Sequence, residues 1–122
     1  CPPLPYRLDT DIAETGGISR WAQDRMLLPQ LGLFSGRETR LPYDLDEILM
    51  ALAPKPLVLV TPEYDRFAPS EKINQACTSI EKVYAAMQAR GNLVRVSPPK
   101  YNHFDVSMQR ELIAAMKGFR LE

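Results

Sequence analysis

The sequence predicts an α/β fold, and three observations carry that expectation. Leu57-Val58-Leu59-Val60-Thr61 is a continuous apolar run bounded by prolines, the pattern of a strand covered on both faces in a parallel sheet. Ile73, Ala76, Cys77, Ile80, Val83, Tyr84 and Met87 then recur at helical spacing and form one apolar stripe. Leu93 to Ser97 is a second β run, so strand, helix and strand follow one another as a βαβ crossover. Arg95 interrupts the second run, as expected of a less covered strand at a sheet edge.

The remaining elements are placed by local signals. Residues 1–19 hold several prolines and the pair Gly16-Gly17 with no sustained period, and read as loop. From Ile18 to Leu33, helix-forming residues are broken by Pro29, which lacks an amide donor and crowds the preceding turn, so one or two short helices are expected. Asp44 can cap the next helix, with Glu47 completing a capping box, and Leu45, Ile48, Leu49 and Leu52 share one face. Pro54 and Pro56 stop that helix. Ser70 is the expected cap of the long helix and Gly91 its expected end. A last helix from about Ser107 carries Met108, Leu112, Ala115, Met116 and Phe119 on one face. The expected organisation is a single unit over 1–122, with loop and short helices over 1–40 and helix, strand, helix, strand, helix over 41–122.

Composition narrows the function classes. A hydrophobic share of 45% and a charged share of 25% suit one ordinary globular domain and argue against a disordered chain. Fifteen basic residues balance fifteen acidic ones with no basic stripe, so nucleic acid is not an expected partner. No apolar run approaches the roughly 20 residues that span a bilayer, no secretory leader pattern is recognisable, and the compartment is left open. Cys1 and Cys77 are too few for a disulfide framework and lack zinc-site spacing, so neither metal nor cofactor is expected. A chain that opens Cys1-Pro2-Pro3 instead of with methionine is expected to have been processed or cut, which leaves room for a missing amino-terminal portion.

In open parallel sheets, ligands gather beyond the carboxyl ends of the strands. Asp65 lies four residues past Thr61, and His103, the single histidine, lies six past Ser97. Neighbouring strands run about 4.8 Å apart, so loops from the same end can bring the two side chains into hydrogen-bonding reach. An aspartate that fixes the imidazole tautomer is the usual partner of a general-base histidine. The plainer readings are a structural loop histidine and an aspartate that caps the following helix, with Glu63 and Asp105 as competing carboxylates. Cys77 falls mid-helix on the apolar stripe and reads as a buried structural thiol, whereas Cys1 is a remote candidate for an amino-terminal nucleophile. Trp21, Phe34, Tyr43 and Phe67 can wall an acyl or sugar pocket, or simply pack.

Three segments carry a family resemblance: Ala53-Pro54-Lys55-Pro56-Leu57-Val58-Leu59-Val60, Tyr64-Asp65-Arg66-Phe67-Ala68-Pro69, and Tyr101-Asn102-His103-Phe104. Together they resemble the last third of α/β-hydrolases of the dienelactone hydrolase, acetyl xylan esterase and prolyl oligopeptidase kind, over about Leu41 to Phe119 and more loosely through Gly16-Gly17-Ile18-Ser19-Arg20-Trp21. The resemblance implies an incomplete α/β-hydrolase fold, comprising its last two parallel strands, their crossover helix and flanking helices. It also implies Asp65 as triad acid, His103 as triad histidine, a small ester or acyl substrate, and a serine upstream of residue 1, since the order in such folds is nucleophile, acid, histidine. The sequence departs from the pattern at Pro62-Glu63-Tyr64, where a glycine is usual before the acid, and at Asn102, where glycine commonly precedes the histidine. No Gly-x-Ser-x-Gly elbow occurs, and neither Ser19 nor Ser35 sits between a strand and a helix as the elbow requires.

Two functions are therefore expected to compete. One is a part of an esterase-like serine hydrolase that contributes Asp65 and His103 and is inactive by itself. The other is a non-catalytic α/β module that covers its open strand edge by self-association or with a partner, through the 57–61 edge or the stripe on the long helix.

Overall fold

The computed structural model describes residues 5–10, 13, 15–23 and 29–119. It has mixed α/β architecture. Helix α1 spans Gly17–Gln23, α2 Leu45–Met50, strand β1 Leu57–Val60, α3 Ser70–Ala86, strand β2 Leu93–Val96 and α4 Val106–Lys117, with short 3-10 turns between several of them. The two strands pair in parallel, Leu57 opposite Leu93 through Val60 opposite Val96. Strand alternation therefore puts Leu57, Leu59, Leu93 and Arg95 on one face of the sheet and Val58, Val60, Val94 and Val96 on the other.

The first of these faces meets α3. Ile73, Ala76, Cys77, Ile80 and Tyr84 of the predicted stripe are buried. All but Ala76 join Leu59, Ala68 and Ala89 in one core cluster, against which Leu49, Met50, Ala53, Leu57 and Leu93 also pack. Each such side chain stabilises the fold by roughly 1.5–3 kcal/mol when fully buried, and shortening fully buried Ile80 to alanine is the kind of change that costs about 2–5 kcal/mol. Tyr84 adds a polar tie, its hydroxyl donating to the Lys55 carbonyl at 2.9 Å, while Asn92 Nδ2 donates to the Pro54 carbonyl at 2.7 Å. The turn that feeds β1, which contains the cis Ala53–Pro54 peptide, is thus held twice by the β2 end of the crossover. Helix α4 contacts both strands but takes no part in the α3 cluster, so it lies against the other face, with Met108 as its fully buried residue.

A second cluster holds the amino-terminal part together: Tyr6, Ile18, Leu31 and Leu41, with Phe34 and Leu45 against them. Asp44 links this part to α2. The predicted capping box forms, with the Asp44 carboxylate on the first-turn amides and Glu47 returning to the Asp44 amide at 2.9 Å. The same carboxylate, almost wholly buried, also accepts from the Tyr6 and Arg7 amides at 2.7 and 2.8 Å. Arg7 in turn pairs with Glu47 at 2.7 Å.

Several local expectations are corrected. The 1–19 stretch is not all loop, since Tyr6–Leu8 makes a 3-10 turn and α1 begins at Gly17. Helix α2 stops at Met50; Leu49 and Met50, with Ala53 beyond its end, pack on the α3 cluster and Leu45 on the amino-terminal one, leaving Ile48 and Leu52 exposed. Ser70 does not cap α3: the cap position is Pro69, and the Ser70 hydroxyl donates to the Glu63 carbonyl at 3.0 Å. Gly91 does not close α3 either. Gln88 takes the left-handed position, φ 56°, and the Ala89 amide reaches back to the Tyr84 carbonyl at 2.8 Å, a Schellman-type end that leaves Met87 outside the core. Helix α4 starts at Val106, as expected to within a residue, and is capped by Asp105, with the Met108 amide donating to Asp105 Oδ1 at 2.9 Å. On its predicted face Met108 is buried, but Met116 is exposed.

Candidate active site

Parallel pairing continues past the ends of the strands. The Thr61 amide donates to the Val96 carbonyl at 2.9 Å, Glu63 to Pro98 at 3.0 Å and Tyr64 to Lys100 at 3.0 Å. The segment after β1 therefore runs beside the segment after β2 until Asp65 on one side and Tyr101 on the other, where the Tyr64 and Tyr101 rings meet at 5.8 Å. Both predicted site residues stand at this end of the sheet.

Asp65 is buried, 8% exposed. Its Oδ1 accepts from the Phe67 amide at 2.9 Å and from Asn102 Nδ2 at 3.2 Å, and its carbonyl accepts from the Ala68 amide at 3.1 Å. The first and last of these bonds close a tight turn of the kind short acidic side chains favour. They leave Oδ2 with no hydrogen-bond partner among the described residues. Phe67 itself is stacked by arginines, with the Arg20 guanidinium 3.6 Å and the Arg66 guanidinium 4.3 Å from the ring centre.

His103 is exposed, on a segment pinched by two short-range backbone bonds, His103 amide to Tyr101 carbonyl at 2.7 Å and Asp105 amide to His103 carbonyl at 2.8 Å. Its ring makes no hydrogen bond with any described residue. The two loops are brought together as expected, but the bond that joins them runs from Asn102, the residue before the histidine, and not from His103 itself.

The competing carboxylates are placed differently. Asp105 is committed to capping α4 and to Lys100, whose Nζ lies 2.8 Å from Oδ2 and also donates to the Ser107 hydroxyl. Lys100, then the Met108 amide, then the Ser107 hydroxyl hold the Asp105 carboxyl well below the usual carboxylate range. Glu63 is exposed and in no ion pair among the described residues. Sequence reasoning missed the roles of Asn102 and of the Lys100, Asp105 and Ser107 group. An aspartate just before the apolar helical residues is itself a helix-start signal that could have placed the cap at Asp105.

The other candidates are not assembled into a site. Cys77 is buried on α3, and burial pushes its thiol up, away from the thiolate a nucleophile needs. Cys1 lies outside the described residues, as does the side chain of Trp21. The Ser19 and Ser35 hydroxyls lie 2.9 Å from each other and neither stands on a strand-to-helix turn. Phe34 and Tyr43 line a separate, mainly apolar cavity of about 570 Å³ with Tyr6, Leu31 and Leu41. No metal-binding group of His, Cys, Asp or Glu occurs among the described residues, and no described helix is long and apolar enough to cross a membrane. Comparison with protein-family models, curated proteins and solved structures returned no match.

Proposed function

We propose that this chain contributes the acid, Asp65, and the general base, His103, to an esterase-like serine hydrolase whose nucleophile is a serine upstream of residue 1. In that reading, His103 takes the serine proton as the hydroxyl oxygen attacks the ester carbonyl, then returns it to the departing alkoxide. Asp65 holds the other ring nitrogen as an N–H donor and stabilises the imidazolium. A water molecule repeats the sequence on the acyl-enzyme. The observation that carries the proposal is the Asn102-to-Asp65 hydrogen bond at the carboxyl ends of two adjacent parallel strands. It puts the histidine-bearing loop one residue from a buried carboxylate that has an oxygen to spare.

The test is hydrolysis of p-nitrophenyl esters of short acids by the full-length gene product. His103→Ala should lower kcat by about a thousandfold to ten-thousandfold. Undiminished turnover in that variant would sink the reading.

The second reading, a non-catalytic module that associates with a second copy, is favoured by a different observation. Among the described residues the two strands pair only with each other, so each keeps an open edge, and Val106, Ile113 and Met116 on α4 are exposed. The stripe on α3 is buried inside the chain and is not available for this role. Sedimentation of the full-length protein separates the readings: a monomer that hydrolyses esters excludes the module.

A further inference from the structure

Arg95 is the residue that breaks the apolar pattern of β2, and nothing in the hydrolase reading uses it. It is half-buried on the α3 side of the sheet. Nε donates to Thr61 Oγ1 at 2.8 Å and Nη1 donates to Asn74 Oδ1 at 2.8 Å. Both acceptors are neutral, and no carboxylate stands within ion-pair distance of Arg95 among the described residues. The Nη1 end of the guanidinium reaches the surface, so it is open to a ligand and is paired with no carboxylate among the described residues.

The surrounding hydrogen bonds say which donors are free. Ser97 Oγ donates to the Thr61 carbonyl at 2.9 Å, so it accepts the Thr61 hydroxyl proton in their 2.8 Å contact. The Ser70 proton goes to Glu63. What remains is Nη2 of Arg95, with the second Nη1 proton, and Nδ2 of Asn74, whose orientation is fixed because its oxygen already faces the guanidinium. These donors border a cavity of about 600 Å³ lined by Glu63, Tyr64, Ser70, Asn74, Arg95 and Ser97. It is a groove open to solvent, with more room than a bare ion fills. The Tyr64 ring, braced by Tyr101, offers a flat aromatic wall. Glu63 adds a negative charge to the same lining, which opposes a second negative charge on any ligand.

We propose that this cavity binds a small monocarboxylate with a planar aromatic body, its carboxylate on Arg95 and Asn74 and its ring against Tyr64. The guanidinium presents parallel N–H groups that match two carboxylate oxygens. The site stands on its own, whether or not Asp65 and His103 catalyse.

The test is an NMR titration of ¹⁵N-labelled full-length protein with benzoate, and separately with inorganic phosphate, following the Arg95 Nε–H and the Asn74 side-chain amide. Benzoate should shift both signals saturably, and phosphate should bind about tenfold more weakly, because a charge-assisted bond is offset by repulsion from Glu63. Arg95→Gln should weaken benzoate by at least about tenfold. Because Arg95 also braces Thr61 and Asn74, a second variant keeps the test valid if that one fails to fold. Asn74→Asp supplies an internal carboxylate to the same guanidinium and should abolish the benzoate shifts while preserving the fold. Absent saturation, equal affinity for phosphate, or unchanged benzoate binding in folded Asn74→Asp overturns the proposal. Loss of ester hydrolysis in His103→Ala with benzoate binding intact, or the reverse, keeps this site and the hydrolase reading apart.

Discussion

Asp65 and His103 follow adjacent strands of one sheet, yet Asp65 is buried and accepts two hydrogen bonds on one oxygen, whereas His103 is exposed and its ring has no partner among the described residues. The difference begins in the backbone. After β1 the chain folds back at once, because the Asp65 side chain and carbonyl bind the Phe67 and Ala68 amides and lead directly into α3. After β2 come Pro98 and Pro99, which lack amide hydrogens, and Asp105 is the next side chain able to organise the turn. His103 falls between the two anchors. A site can thus be half preorganised: the acid side chain is fixed by the fold, whereas the histidine loop is tied down at Asn102 and Asp105 and the imidazole itself is not held by any described residue.

The largest effect expected from this contrast lies in how two substitutions divide between activity and stability. His103→Ala should remove ester hydrolysis, under the proposed function, while shifting stability by no more than about 0.5 kcal/mol, because an exposed ring with no bonds contributes little to the fold. Asp65→Ala should remove activity and also destabilise by about 1–3 kcal/mol, because it strands the Phe67 amide and the Asn102 side chain. Urea unfolding of both variants beside their kcat values makes the measurement. Equal destabilisation by the two would erase the contrast between the loops.

Acid should act on the histidine side through Asp105. Asp105 anchors that loop to α4, and Lys100 holds its carboxyl below the usual range. A carboxyl depressed in the folded state stabilises the protein fully above its unfolded pKa, near 4, and that contribution drains away as pH falls from there toward the folded value. Asparagine at this position can still cap α4 but cannot pair with Lys100. The melting temperature of Asp105→Asn should therefore lie below that of the parent at neutral pH, and the gap should narrow on acidification below about pH 4. A gap independent of pH would mean that the cap, and not the charge, holds the loop.

How much of this could be read in the sequence follows from the range of the interactions. Strand β1, the α3 stripe and the Asp44 and Glu47 capping box were legible because each is set by residues within a few positions of one another. The positions of Asp65 and His103 at one end of the sheet followed from strand order. The end of α3 did not: Gly91 advertised a stop, but the helix closes earlier on Gln88, where burial of Tyr84 and Ala89 outweighs the small cost of a left-handed glutamine. Nor was the Asn102-to-Asp65 bond visible, since it joins residues 37 positions apart and depends on how far pairing persists beyond the strands.

That bond is also the finest test of the comparison. Asn102 is exposed and its contact with Asp65 is long, 3.2 Å, so Asn102→Ala should cost no more than about 1 kcal/mol in stability. Its consequence for the two loops is larger than that figure suggests. Asn102 occupies Oδ1, and Oδ2 has no partner among the described residues, so His103 and Asn102 need not compete for the carboxylate. If Asn102 positions the histidine loop, its loss should lower kcat about tenfold by letting His103 wander, with little change in KM, because misplaced catalytic groups are penalised steeply. Asn102→Gln, with a longer reach to the same oxygen, should recover part of the rate. If instead the Asn102 bond holds Asp65 away from His103, Asn102→Ala should raise kcat, and the loop contact would be a restraint on the site and not its support.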